Sequence, residues 1–131
     1  MIIGSISENL NYEKRVAITP DVIKKYKSLG INIYLSKDYA THIGIDDNEY
    51  EAEGASILTT DDVILKSNAI LQMNIPNDEI LQKFKENQYL IGVLSPHINE
   101  KKLKELVSKN INCFSLELLP RITRAQSMDI L

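Results

Sequence analysis

The chain has 131 residues, 44% hydrophobic and 25% charged, a balance that suits one globular domain with a real core. Fifteen basic against eighteen acidic side chains leave a formal charge of -3, which argues against a general nucleic-acid binder but leaves room for a local cationic site for a phosphate or carboxylate. A single cysteine, Cys113, precludes an internal disulfide and fits a reducing compartment, nothing at the start resembles a signal peptide, and no apolar run nears the roughly 18 residues of a membrane helix.

Met1 to Ser5 (MIIGS) reads as a first strand. Glu8 to Arg15 is polar and irregular, a loop, and Val16 to Thr19 is brief and apolar. Thr19-Pro20-Asp21 predicts a helix start: Thr is an N-cap type, Pro suits the first turn, and Asp favours the positive end of the dipole. Val22, Ile23, Tyr26 and Leu29 follow at helical spacing, and Gly30 closes the helix. Ile31 to Leu35 is the next strand. Asp46 to Glu53 is an acidic helix ended by Gly54, Ala55 to Leu58 a strand, and Thr60-Asp61-Asp62 opens a helix through Leu65. Ala69 to Met73 (AILQM) is a strand, broken by Pro76 and Asn77. Asp78 to Phe84 is a helix, Tyr89 to Leu94 a strand, and Pro96 to Asn99 a loop. Glu100 to Ser108 is a helix with Leu103, Leu106 and Val107 on one face, and Ile111 to Leu116 is the last strand. The tail has helical character from about Thr123. It closes on the uncapped apolar pair Ile130-Leu131, so the chain is expected to continue.

Strands alternating with helices are the signature of βαβ units. The expected architecture is α/β, a single domain with a parallel sheet covered on both faces: a three-layer sandwich of flavodoxin-like or Rossmann-like kind. Open parallel sheets bind ligands beyond the carboxyl ends of their strands. The loops Ser7 to Arg15, Asn74 to Asn77 and Ser95 to Asn99 qualify, as does the segment after Leu118.

Several constellations are candidates for chemistry. In EKRVAITP (13–20), a basic pair with Arg15 over the sheet would bind an anion bidentately; the alternative is a solvated charge pair. In PRITRAQSMD, Arg121 and Arg124 share one side of a helix, Gln126 offers a donor and an acceptor, and Asp129 follows. Such groups read a carboxamide, a ribose or a pyrophosphate, or else form a solvated helix face. His97 and His42 read as surface residues with no metal-site spacing. Cys113 reads as a buried, inert thiol. DDNEYEAEG lacks the spacing of a calcium loop and reads as an exposed helix face. HExxH, CxxC, a Walker loop and GxGxxG are all missing, so any dinucleotide would be held mainly elsewhere.

EKRVAITPDVIKKYKSLG resembles the opening of the alanine dehydrogenase and transhydrogenase alpha-subunit group. DDNEYEAEGA with DDVILKSNAILQMNIP is similar to its next block, and LELLPRITRAQSMDIL to the transhydrogenase branch specifically. The resemblance spans essentially the whole chain. It implies that residues 1–131 are the first of two α/β domains flanking a cleft. The second, a Rossmann domain expected after Leu131, would carry the glycine-rich loop and most NAD(H) contacts. The implied reaction is hydride transfer from NADH to NADP⁺, of the proton-translocating, Re/Si-specific type, with no metal and no nucleic acid. NADP(H) would sit on a partner component, proton movement in a membrane component, and the alpha subunits in a homodimer at the cytoplasmic side of the inner membrane. Alone, this domain would be inactive.

Carried over residue by residue, Arg121, Gln126 and Asp129 are the family's groups beside the nicotinamide. Gln126 would bond the carboxamide, with Arg121 and Asp129 as an orienting charged network. In the alanine dehydrogenase branch a lysine and a histidine bind and polarise the keto acid. Here Gln72-Met73-Asn74 and Ser95 stand at those places, so both groups are missing, while Arg15 is shared by the wider family. Two further readings stand beside the first: an alanine dehydrogenase-like amino acid dehydrogenase, and a non-catalytic interaction domain of the same fold.

Overall fold

A computed structural model describes residues 1–118. Six parallel strands form one sheet in the order β3-β2-β1-β4-β5-β6. They are β1 (Ile2–Ser5), β2 (Asn32–Ser36), β3 (Ser56–Leu58), β4 (Ala69–Gln72), β5 (Tyr89–Gly92) and β6 (Asn112–Ser115). The helices are α1 (Pro20–Ser28), α2 (Asp47–Glu53), α3 (Thr60–Lys66), α4 (Asp78–Leu81) and α5 (Glu100–Ser108), with short 3-10 turns at Thr41–Ile43 and Leu116–Leu118. This is the Rossmann order rather than the flavodoxin one. The chain winds outward from β1 through β2 to β3, returns to place β4 beside β1, and winds out the other way. The reversal leaves a crevice between the carboxyl ends of β1 and β4.

Side chains alternate across the strands and fill two cores. Ile33, Leu35, Leu71 and Met73 join Ile18, Ile23, Tyr39 and Tyr50 on one side, and Ile70 and Leu90 join Ile6, Val63, Ile64 and Leu106 on the other. Gly92 marks a close approach at the strand ends: a Cβ there would lie 2.2 Å from the Gln72 carbonyl oxygen.

The expected elements are present, with local departures. The brief apolar run Val16, Ala17 and Ile18 is buried coil. Thr19 makes no side-chain cap; its hydroxyl donates to Asp21 at 2.5 Å instead. Thr59, one residue earlier than expected, caps α3 by accepting from the Asp62 N–H. Asn77, read as a breaker, caps α4 by accepting from Ile80 N at 3.0 Å. That helix stops at Leu81, because the next turn tightens to bonds from Lys83 N to Ile80 and from Phe84 N to Leu81. Leu29 and Val107, placed on apolar helix faces by their spacing, are 73% and 60% exposed. Leu29 is the residue that ends α1, and Val107 lies in the last turn of α5. In the acidic α2, Asn48, Glu49, Glu51 and Ala52 are exposed and Asp47 and Glu53 half-buried, while Tyr50 turns into the core and donates to the Ile18 carbonyl at 2.8 Å. Cys113 is half-buried on the edge strand, and burial pushes its thiol pKa up. Among the described residues no helix is long and apolar enough to cross a membrane.

Candidate functional site: the crevice between β1 and β4

Where β1 and β4 diverge, their backbone ladder ends: the register pairs only Ile3 with Ala69 and Gly4 with Ile70. Ile6 then lacks a strand neighbour on that side. The side-chain amide of Gln72 takes that place. Its Oε1 accepts from Ile6 N at 2.8 Å and its Nε2 donates to the Ile6 carbonyl at 3.0 Å. Ser5 Oγ donates to the Leu71 carbonyl at 2.6 Å and lies 2.8 Å from Tyr39 Oη. The phenol oxygen accepts in turn from the N–H groups of Ala17 and Ile18, at 3.1 and 3.2 Å. The buried coil of residues 16–18 is thus hydrogen-bonded through one tyrosine.

Two carboxylates complete the crevice. Glu8 is buried and accepts from Gln72 Nε2 (2.8 Å), Met73 N (2.8 Å) and Asn74 N (3.3 Å). Burial raises its pKa to about 7, against the opposing pull of the Met73 and Asn74 amides. Glu13 accepts two side-chain bonds from Arg15, at 2.9 Å each, and one from Asn74 Nδ2 at 2.8 Å. The Arg15 side chain, helped by its backbone amide and by Asn74 against desolvation, holds Glu13 down to about 2. Asn74 therefore bridges the two acids.

Above them lies a cleft of about 430 Å³, walled by Ser7, Asn9 and Tyr12 on one side and by Asn74 to Asn77 and Ile80 on the other. Thr60 and Lys102 also line it. Its chemistry is that of acceptors and amides. Arg15 is engaged with Glu13, and Lys102 lies 3.4 Å from Asp78.

The structure brings together two of the loops expected to qualify, Ser7 to Arg15 and Asn74 to Asn77. Ser95 and His97 do not line this cleft; His97 is exposed in the turn before α5. Arg15 does not stand over the sheet as an anion site: its side chain is 60% exposed and its fork grips Glu13. His42 lies with its Nε2 2.8 Å from the Lys14 carbonyl, a tie within the surface loops. Arg121, Gln126 and Asp129 lie outside the described residues. Sequence reasoning missed Glu8 and Tyr39. It had one usable signal, the polar Gln72 at the end of an apolar strand. The path from β1 to α1, residues 6–19, is too long for a phosphate-binding turn that opens directly into a helix.

Comparison with known proteins adds to this geometry. The family "Alanine dehydrogenase/PNT, N-terminal domain" matches residues 4–131. The NAD(P) transhydrogenase subunit alpha of Haemophilus influenzae is 33% identical over 131 aligned residues, covering 100% of this chain and 25% of that protein. The alanine dehydrogenase of Methanococcus maripaludis is 32% identical over 126 residues, covering 95% and 34%. A crystal structure of a transhydrogenase from Sinorhizobium meliloti superposes with a TM-score of 0.91 at 32% identity, covering 98% of this chain and 39% of that one. The chain thus spans well under half the length of these relatives, and identity alone does not separate the two branches.

Proposed function

This chain belongs to the alanine dehydrogenase/PNT N-terminal domain family, and on that premise we propose that it is the N-terminal part of the NAD(H)-binding alpha subunit of a proton-translocating NAD(P) transhydrogenase. The observation that carries the choice of branch is the floor of the crevice. A 2-oxo acid substrate requires a free cation for its carboxylate and an acid for its carbonyl or imine. At the end of β4 this chain instead has neutral Gln72, with its amide spent on Ile6 and Glu8. The adjoining carboxylates of Glu8 and Glu13 oppose a second anion.

Hydride exchange between two nicotinamides needs neither group; the cofactor supplies the hydride, and the protein supplies orientation. In this reading Gln126 bonds the carboxamide, and Arg121 and Asp129 orient it. NAD(H) is held mainly by a domain following this one, and NADP(H) by a partner component. The long, glycine-free path from β1 to α1 supports the first point, since it offers no cradle for a pyrophosphate. We further infer a homodimer of alpha subunits, peripheral on the cytoplasmic side of the membrane, with Re/Si specificity and no activity in this domain alone.

The test assays the subunit that carries this domain. With the NADP-binding component it should transfer hydride from NADH to an NADP⁺ analogue, and it should not oxidise alanine with NAD⁺. Alanine oxidation without transhydrogenation would overturn the reading.

A further inference from the structure

Glu8 has no part in the proposed hydride transfer, yet it is a buried carboxyl group at the point where the two halves of the sheet diverge. We propose that Glu8 is a proton-operated latch across the crevice: ionised, it holds the β4 loop against the β1 loop, and protonated, it releases that loop at Asn74. This inference does not rest on the transhydrogenase reading.

The geometry assigns the two oxygens different tasks. Oε2 accepts from Gln72 Nε2 and Met73 N, both at 2.8 Å. Oε1 accepts only from Asn74 N, at 3.3 Å. A proton therefore goes to Oε1, the oxygen with spare lone-pair capacity, and the already long bond from Asn74 N is the one given up, because the hydroxyl oxygen of a carboxylic acid is a poor acceptor. Losing the charge also weakens the two bonds to Oε2, because bonds to an ionised acceptor are about twice as strong as neutral ones. Asn74 is then left with its side-chain bond to Glu13. Residues Asn74 to Asn77 form one wall of the cleft, so the change is felt at its mouth.

The surroundings set where this happens. Glu13 and Arg15 face Glu8 from its own loop, and Tyr39 from the segment after β2. The β4 side presents neutral Gln72 and Asn74, α3 presents Thr60, and α5 presents Lys102 at the rim, drawn toward Asp78 of α4. Arg15 is held by Glu13, so burial prevails and Glu8 titrates near neutrality.

The test is a carboxyl-carbon NMR titration of the 131-residue chain, with the Met73 and Asn74 amides followed in parallel. Glu8 should titrate near pH 7, and the Asn74 amide should shift with the same midpoint. Below it, Asn74 N–H should exchange roughly tenfold faster after correction for intrinsic rates, the equivalent of one lost hydrogen bond. In Glu8→Gln the near-neutral response of Asn74 should vanish. A Glu8 midpoint in the ordinary carboxylate range, or an Asn74 amide indifferent to Glu8, overturns the proposal. Should Glu8→Gln fail to fold, Glu13→Gln decides. Without that neighbouring carboxylate the Glu8 midpoint should fall, and the Asn74 response should move with it; a response that stays put overturns the latch.

Discussion

The side-chain amide of Gln72 bonds both backbone groups of Ile6, at 2.8 and 3.0 Å, and so supplies the strand neighbour that β4 no longer provides. A parallel sheet that reverses its winding must leave such an orphaned edge, and here one side chain satisfies it.

Gln72→Met keeps the volume and removes the amide. Ile6 N–H and C=O and one bond to Glu8 are then unmet in a buried place. An unsatisfied buried group costs about 1–3 kcal/mol, so a loss of about 2–4 kcal/mol is expected in urea unfolding. A loss below about 0.5 kcal/mol, the usual range for an inconsequential surface change, would remove Gln72 from this role.

Glu13 predicts an acid limb. Its folded pKa, about 2, lies below the ordinary 4.5. The unfolded chain therefore binds the proton first as pH falls. The stability this group contributes is full above about 4.5 and disappears between 4.5 and about 2. Glu8 has the opposite sign: with a folded pKa near 7, its contribution is full below 4.5 and is lost as pH rises to about 7. Urea midpoints measured from pH 2 to 8 should show Glu13→Gln flattening the acid limb and Glu8→Gln flattening the upper one. An acid limb unchanged in Glu13→Gln would contradict the ion pair with Arg15.

Tyr39 and Tyr50 meet edge to face, with ring centroids 5.6 Å apart, and removing their hydroxyls should cost different amounts. Tyr39→Phe leaves the N–H groups of Ala17 and Ile18 without an acceptor and removes one of the partners of Ser5 Oγ, which keeps its bond to the Leu71 carbonyl. Tyr50→Phe leaves only the Ile18 carbonyl unpaired. Expected losses are about 2–3 kcal/mol and about 1 kcal/mol. Equal losses, read from thermal unfolding, would mean that the buried coil is held by packing alone.

The alternation of strands and helices was legible because parallel strands, buried on both faces, read as short apolar runs between capped helices. The strand order was not, because nothing in Ala69 to Met73 says that β4 sits beside β1. The crevice was half legible. Its two loops followed from the rule about strand ends, and Gln72 stood out as a polar residue in an apolar strand. Glu8 did not stand out: a glutamate in a polar loop carries no period, and only the turn of the chain over β4 buries it. Arg15 was visible as a charge, but its partner two residues away, Glu13, became clear only from the geometry.

The transhydrogenase reading makes a kinetic prediction for Gln126 and Arg121. If these residues orient the nicotinamide rather than anchor the dinucleotide, alanine at either should slow hydride transfer in the full subunit by about 10-fold or more, roughly what misplacing a reactant costs. NADH affinity should change less, because in this reading a following domain holds most of the molecule. By the same logic the 131-residue chain should bind NADH only very weakly in calorimetry. Tight binding to this chain would place the main site here, where Glu8 and Glu13 line the crevice and residues 6–19 separate β1 from α1. Unchanged transfer rates in both variants would remove Arg121 and Gln126 from the site. Transfer slowed in step with affinity would make them anchors, with orientation left to other groups.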